Sequence, residues 1–188
     1  MNNPESALEI LLAEYNTLKS EQAQRIGFRD NLLYVTLGLF GGVMSFALSE
    51  DGDTAALLVI PWICLILGWT YVINDEKISA IGRYIRNNLN KKLRDHIGSS
   101  EYQHLFEWEV EHRSDPHRRR RKIQQLIVDE ITFVASGWAA LLTFGFLTSQ
   151  PSWHILTLCS VEALLLLVLG IEIIMYSDRQ IGKNSPQK

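Results

Sequence analysis

Four long blocks without a single basic residue dominate this chain: residues 32–48, 55–74, 131–149 and 155–176. Their lengths of 17, 20, 19 and 22 residues match the ~17–25 residues an α-helix needs to cross a hydrocarbon layer about 30 Å thick. The only ionisable carboxylates within them are Glu162, well inside its block, and Glu172, nearer an end. A soluble domain could share the averages of 47% hydrophobic and 21% charged residues. It would not segregate them into uninterrupted blocks. The pattern excludes a plain globular enzyme, a secreted disulfide scaffold and a disordered chain.

Basic residues sort by loop. Of the 18 Lys and Arg residues, three precede block 1, twelve lie between blocks 2 and 3, and three follow block 4. Loop 49–54 is acidic and loop 150–154 is uncharged. The positive-inside bias therefore predicts two short hairpins outside, with both termini and residues 75–130 in the cytosol. Tyr34, Trp69, Tyr71 and Tyr176 fall toward the cytosolic ends of the blocks and Trp153 in an outer loop, levels that suit amphipathic rings. Trp62 and Trp138 lie deeper and are expected to pack between helices. Cys64 and Cys159 lie in blocks at different depths, so no disulfide or metal site is expected of them. The first 31 residues are amphipathic and charged, and no cleavable signal sequence is read there.

Outside the blocks the chain reads as helix. Asn3-Pro4-Glu5 is a helix start, and Leu8, Leu11, Tyr15, Leu18, Gln22 and Ile26 recur by three and four residues. With only Gly27 as an interruption, residues 1–31 are expected to run as one helix into block 1. Ile78, Ile81, Ile85, Leu89, Leu93 and Ile97 mark one face of a helix leaving block 2 and stopping at Gly98. Ser99 starts a shorter aromatic helix through Tyr102, Leu105, Phe106 and Val110, and Ser114-Asp115-Pro116 restarts one that carries Ile123, Leu126, Ile127 and Ile131 into block 3. Single apolar stripes must be buried against one another or against another subunit. The expected organisation is 1–31 cytosolic helix, 32–74 first transmembrane hairpin, 75–130 cytosolic helical segment, 131–176 second transmembrane hairpin and 177–188 tail.

The stretches Glu14–Lys19, Arg25–Tyr34 and Trp69–Arg86 together resemble the approach to, and exit from, the first hairpin in a group of small, uncharacterised bacterial four-span membrane proteins. The resemblance covers the N-terminal half best. It implies a bacterial inner-membrane location and supplies no activity.

Chemistry is sparse. The Glu101/His104 and Glu109/His112 pairs share one short helix, eight residues or about 12 Å apart, and so cannot form one site within a chain. His112 and His117 stand five residues apart, but five histidines are too few for a membrane desaturase. No nucleophile elbow, phosphate-binding glycine loop or dinucleotide fingerprint occurs. No enzyme, metal or cofactor is expected. The run His117-Arg118-Arg119-Arg120-Arg121-Lys122 has three readings: ion pairs with Glu107, Glu109 and Glu111 or across subunits, attraction to anionic lipid, or binding of a phosphate-bearing ligand, in which guanidinium forks grip phosphate. Gly38/Gly42 and Gly41/Ser45 are small-xxx-small pairs that let helix backbones approach closely, within this chain's own bundle or between subunits. Glu162, about 10 Å inside its block by helix rise, should face the bundle. By depth it is level with Trp62, Thr143 and Gly41-Gly42. It is then either a neutral carboxyl bonded to Trp62 or Thr143, or one of a ring of carboxyls around an oligomer axis.

The sequence thus predicts an all-α chain of four transmembrane helices with long cytosolic helical extensions forming a bundle. Its expected partners are the lipid bilayer, further copies of itself in a homo-oligomer, and a cytosolic nucleotide, nucleic acid or protein. An oligomeric, signal-responsive membrane effector or channel is the first reading of function. A non-conducting scaffold or regulatory subunit presenting the cytosolic bundle is the second.

Overall fold

The computed structural model describes residues 4–97 and 117–182, with side chains placed for most of them. Helix α1 runs without a break from Pro4–Ala47, through Gly27. A 3₁₀ turn, Thr54–Leu58, is capped by Asp53, whose Oδ1 accepts from the Ala55 N–H at 2.8 Å. It leads into α2, Val59–Tyr84, then a π segment, Ile85–Leu89, and α3, Asn90–Ile97. After the undescribed stretch come α4, Arg118–Asp129, a second π segment, Glu130–Ala135, α5, Ser136–Leu147, and α6, Trp153–Gly182. The described residues contain no strand. Four helical stretches, within 6–47, 54–95, 120–147 and 153–177, are long and apolar enough to cross a membrane. The aromatic helix expected from Ser99, both Glu/His pairs, the Gly98 stop, the Ser114–Pro116 restart and residues 183–188 lie outside the described residues, as do the side chains of Arg118 and Arg119.

The chain divides into two compact units. In the first, residues 1–29 and 73–118, the N-terminal seam of α1 packs on the stripe that follows block 2. Leu8, Leu11, Tyr15 and Leu18 lie against the buried Ile85, Leu89 and Leu93, with Ile81 and Tyr84. The apolar seam read from the first 31 residues is therefore taken up within the chain. The π segment explains how the stripe stays on one side. From Ile81 to Ile97 its members recur every four residues, and at 3.6 residues per turn each step drifts about 40° around an α-helix. A turn closed on the fifth residue unwinds part of that drift, and it falls at the stripe's midpoint.

The second unit holds residues 30–72 and 119–188. Its core joins Leu32, Leu57, Ile60, Cys64, Leu65, Tyr71, Phe133, Ala140, Phe144, Leu166 and Leu169, from all four apolar helices. Outside that core the surface is apolar: Val35, Leu39, Phe46, Ile66, Leu142, Phe146, Leu164 and Ile171 are all exposed, as lipid-facing side chains would be. Hydroxyls are satisfied locally. Thr36, Thr70, Thr143, Thr157 and Ser160 each donate to the carbonyl four residues earlier, at 2.7–2.9 Å, which removes the cost of an unpaired polar group in hydrocarbon.

The apolar stripe at the start of block 3 is not taken up within this chain: Ile123, Ile127 and Ile131 are exposed and Leu126 packs against the core, which leaves the expected alternative of another subunit. The inner side carries Gln125, whose amide donates to Tyr71 Oη at 3.0 Å, and the buried Asp129 and Thr132. The same inversion moves Tyr71, expected at the headgroup level, into the core against Phe133, ring centroids 5.2 Å apart. Trp62, expected between helices, is 41% exposed, whereas Trp138 does pack against the core. Where hydrocarbon is the solvent, apolar side chains lose nothing by facing out, and polar ones must turn inward for partners.

Candidate functional site

In the first unit, polar groups join α1 and α2 where both approach their apolar blocks. Arg29 Nη1 lies 2.9 Å from Asp75 Oδ1, with both side chains mostly buried. Asn74 Nδ2 donates to the Arg25 carbonyl at 2.8 Å, and Arg25 Nη1 donates back to Asn74 Oδ1 at 3.3 Å. Arg25 also holds Glu21, one turn earlier, at 2.6 Å, and Gln22 donates to the Ile78 carbonyl at 3.3 Å. The sequence reading missed this clamp; the signal that could have found it is the antiparallel register of a hairpin over 32–48 and 55–74, which brings Arg25–Arg29 opposite Asn74–Asp75. Arg25, Arg29, Asn74 and Asp75 all fall in the stretches that carry the resemblance.

Farther along the same pair of helices the Tyr84 hydroxyl donates to Glu14 Oε1 at 2.7 Å. That bond, more than burial, holds the Tyr84 phenol above the ordinary tyrosine range. A neutral phenol favoured by the fold stabilises the chain fully below the unfolded value near ~10, and the contribution is lost as pH rises through the raised value. In a spectrophotometric titration, Tyr84→Phe should remove a phenol that ionises above the ordinary range. Loss of a step within the ordinary range instead would refute the bond.

In the second unit Glu162 has no exposed surface, and neither carboxyl oxygen makes a hydrogen bond. The Trp62 indole N–H is the donor directed at the carboxyl, in a contact looser than full hydrogen-bond geometry. Cys159 stands one turn earlier on α6, close enough to feel its charge. Thr143 makes no hydrogen bond to it, and its hydroxyl donates to the Ala139 carbonyl at 2.8 Å. Of the polar groups grouped by depth, the structure thus brings Trp62 to Glu162 and leaves Thr143 aside. A carboxyl enclosed in one protomer lines no axis shared between copies unless the helices around it part.

Gly38, Gly41, Gly42 and Ser45 are all exposed, and a Cβ on any of the three glycines would meet nothing within 4 Å. They pack no helix of this chain. The glycines that do let helices close up are Gly68, Gly137 and Gly170, which the sequence reading passed over. A Cβ on Gly68 would lie 2.7 Å from Leu169 Cδ2 and 3.2 Å from Phe133 Cβ. One on Gly137 would lie 2.8 Å from both methyls of Leu166, and one on Gly170 3.3 Å from Glu130 Oε2. Of the basic run, Arg120 and Arg121 are exposed and Lys122 is half-buried, at the start of α4. Among the described residues, no cluster of His, Cys, Asp and Glu is arranged to hold a metal. Comparison with protein-family models, with curated proteins and with solved structures gives no match.

Proposed function

We propose that this chain is a four-span membrane protein of the bacterial inner membrane, with both termini and residues 75–130 in the cytosol. In this reading it assembles with copies of itself through α1 and works as a signal-responsive membrane effector or channel. The observation that carries the reading is the Gly38–Gly41–Gly42–Ser45 face, which offers close backbone approach and is unused within the chain. The unbroken α1 gives a signal a route. The same helix carries both the Leu8–Leu18 seam and the glycine face. Arg118, Arg119, Arg120, Arg121 and Lys122 are the candidate contacts for a phosphate-bearing partner.

Purified protein in liposomes tests this. Ion or dye flux together with an oligomeric mass supports the effector. An oligomer without flux favours the non-conducting scaffold, and a particle of only 21.5 kDa plus detergent overturns assembly. Labelling of a cysteine placed at position 120 from outside intact cells would overturn the orientation.

A further inference from the structure

We propose that α4 meets lipid from Ile123 onward, eight residues before its apolar block begins, and that Arg120 and Arg121 there bind the phosphates of anionic phospholipids. The inference rests on the four-span reading above and names the phosphate-bearing partner of the basic run. From Ile123 to Leu147 the only exposed residue with a polar side chain is Gln124. Ile123, Ile127, Val128 and Ile131 continue directly into the exposed Leu142 and Phe146. The helical stretch 120–147 as a whole is long and apolar enough to cross a membrane.

The other side of the helix carries the polar groups. Gln125 donates to Tyr71 Oη, Asp129 and Thr132 are buried, and the buried Ser136 hydroxyl donates to the Ile131 carbonyl at 3.0 Å. A helix in water is turned the opposite way, with its polar side hydrated and its apolar side covered. Polar inside and apolar outside is the arrangement that hydrocarbon imposes. A second copy could also cover the stripe, but charge disfavours it. In a two-fold pair built on this face with its axis along the membrane normal, Arg120 and Arg121 of one copy would stand beside the same residues of the other. Anionic lipid meets them with opposite charge.

Depth decides what the two arginines reach. With the apolar edge at Ile131, Arg120 would stand eleven residues or about 16 Å from it, twice a Debye length of ~8 Å at physiological salt. With the edge at Ile123 the distance falls to about 4 Å, the level of the headgroups. Arg120 and Arg121 are both exposed and precede Ile127 and Val128 by two turns, so they share the lipid side of the helix. Their guanidinium forks can each grip a phosphate with paired hydrogen bonds. The stretch 123–147 rises about 37 Å, and an ordinary helix tilt fits it to a hydrocarbon layer of about 30 Å.

The test uses the full chain, with Cys64 and Cys159 changed to Ala, in nanodiscs of phosphatidylcholine containing a minority of phosphatidylglycerol. Spin labels on cysteines placed singly at Ile127, Ile131 and Leu142 are read for collision with oxygen, which concentrates in lipid, and with a water-soluble nickel chelate. All three should favour oxygen. Spin-labelled phosphatidylglycerol should associate with the protein more than spin-labelled phosphatidylcholine. Arg120→Gln combined with Arg121→Gln should weaken that association by up to roughly fivefold per charge removed and leave phosphatidylcholine unaffected. Ten of the twelve basic residues between blocks 2 and 3 remain in that variant, so its orientation should hold. A label at Leu142 that favours the chelate overturns the four-span reading itself. With Leu142 in lipid, a label at Ile127 that is open to the chelate, or shielded from both reagents by a second copy, overturns this inference alone. So does a phosphatidylglycerol preference that survives the double substitution, or one abolished by millimolar inorganic phosphate, which would mark a site for a soluble ligand.

Discussion

Gly68→Ile should dismantle the unit built from the four apolar helices, while Gly42→Ile should leave it standing and abolish the self-association proposed for the glycine face. At Gly68 the first added carbon already falls 2.7 Å from Leu169 Cδ2 and 3.2 Å from the Phe133 Cβ. Leu169 and Phe133 are themselves fully buried, so neither has room to retreat. Overpacking of this kind costs roughly 1–3 kcal/mol for extra methylenes that a core can partly absorb, and a branched side chain against backbone-proximal atoms exceeds that. At Gly42 nothing stands within 4 Å, so the protomer has no contact to lose. Thermal unfolding in detergent read beside particle mass separates the two effects. A stable Gly68→Ile protein would refute the α2–α6 packing. An unchanged oligomer in Gly42→Ile would move assembly off the glycine face.

Leu89→Ala should cost about 2–5 kcal/mol in the first unit, the usual range for emptying a buried leucine site. Leu89 is fully buried at the end of the π segment, among Leu8, Leu11, Tyr15 and Leu18 of α1. Hydrogen exchange is the appropriate readout, because the loss should appear as faster local opening of residues 8–18 and leave the apolar helices protected. Ile10→Ala is the matched control: Ile10 is 67% exposed, and its truncation should change protection in the first unit little. Equal effects of the two substitutions would mean that the seam is not where α1 is held.

How much of this was legible depended on which solvent each stripe meets. The Leu8–Leu18 seam and the Ile78–Leu93 stripe flank charged residues and behave as amphipathic helices in water do, so reading the apolar face as the buried face was correct. For Ile123, Ile127 and Ile131 the chain itself supplies no cover, so of the two alternatives read from the stripe only burial against another subunit is left. Glu162 was recognisable as inward-facing from the cost of a lone carboxylate in hydrocarbon. Matching depth pointed to Trp62, whose indole is directed at the carboxyl, whereas Thr143, matched in the same way, makes no hydrogen bond to it. Depth places residues at one level but says nothing about rotation of each helix about its axis, which decides who faces whom.

By itself the sequence determined the all-helical class, the four stretches able to cross a bilayer and the unbroken α1, whereas the pairing of its seam with the stripe beyond block 2 came from the structure. The first three follow from local periodicity, length and the obligation to satisfy backbone groups within a segment. Only the tertiary structure decided that Gly68, Gly137 and Gly170 close the helices up while Gly38, Gly41 and Gly42 stay unused within the chain, and that Glu162 is fully buried. A glycine looks alike in sequence at a contact and away from one. What separates the two is the rotation and register of neighbouring helices, set by the summed packing of large side chains such as Phe133, Leu166 and Leu169.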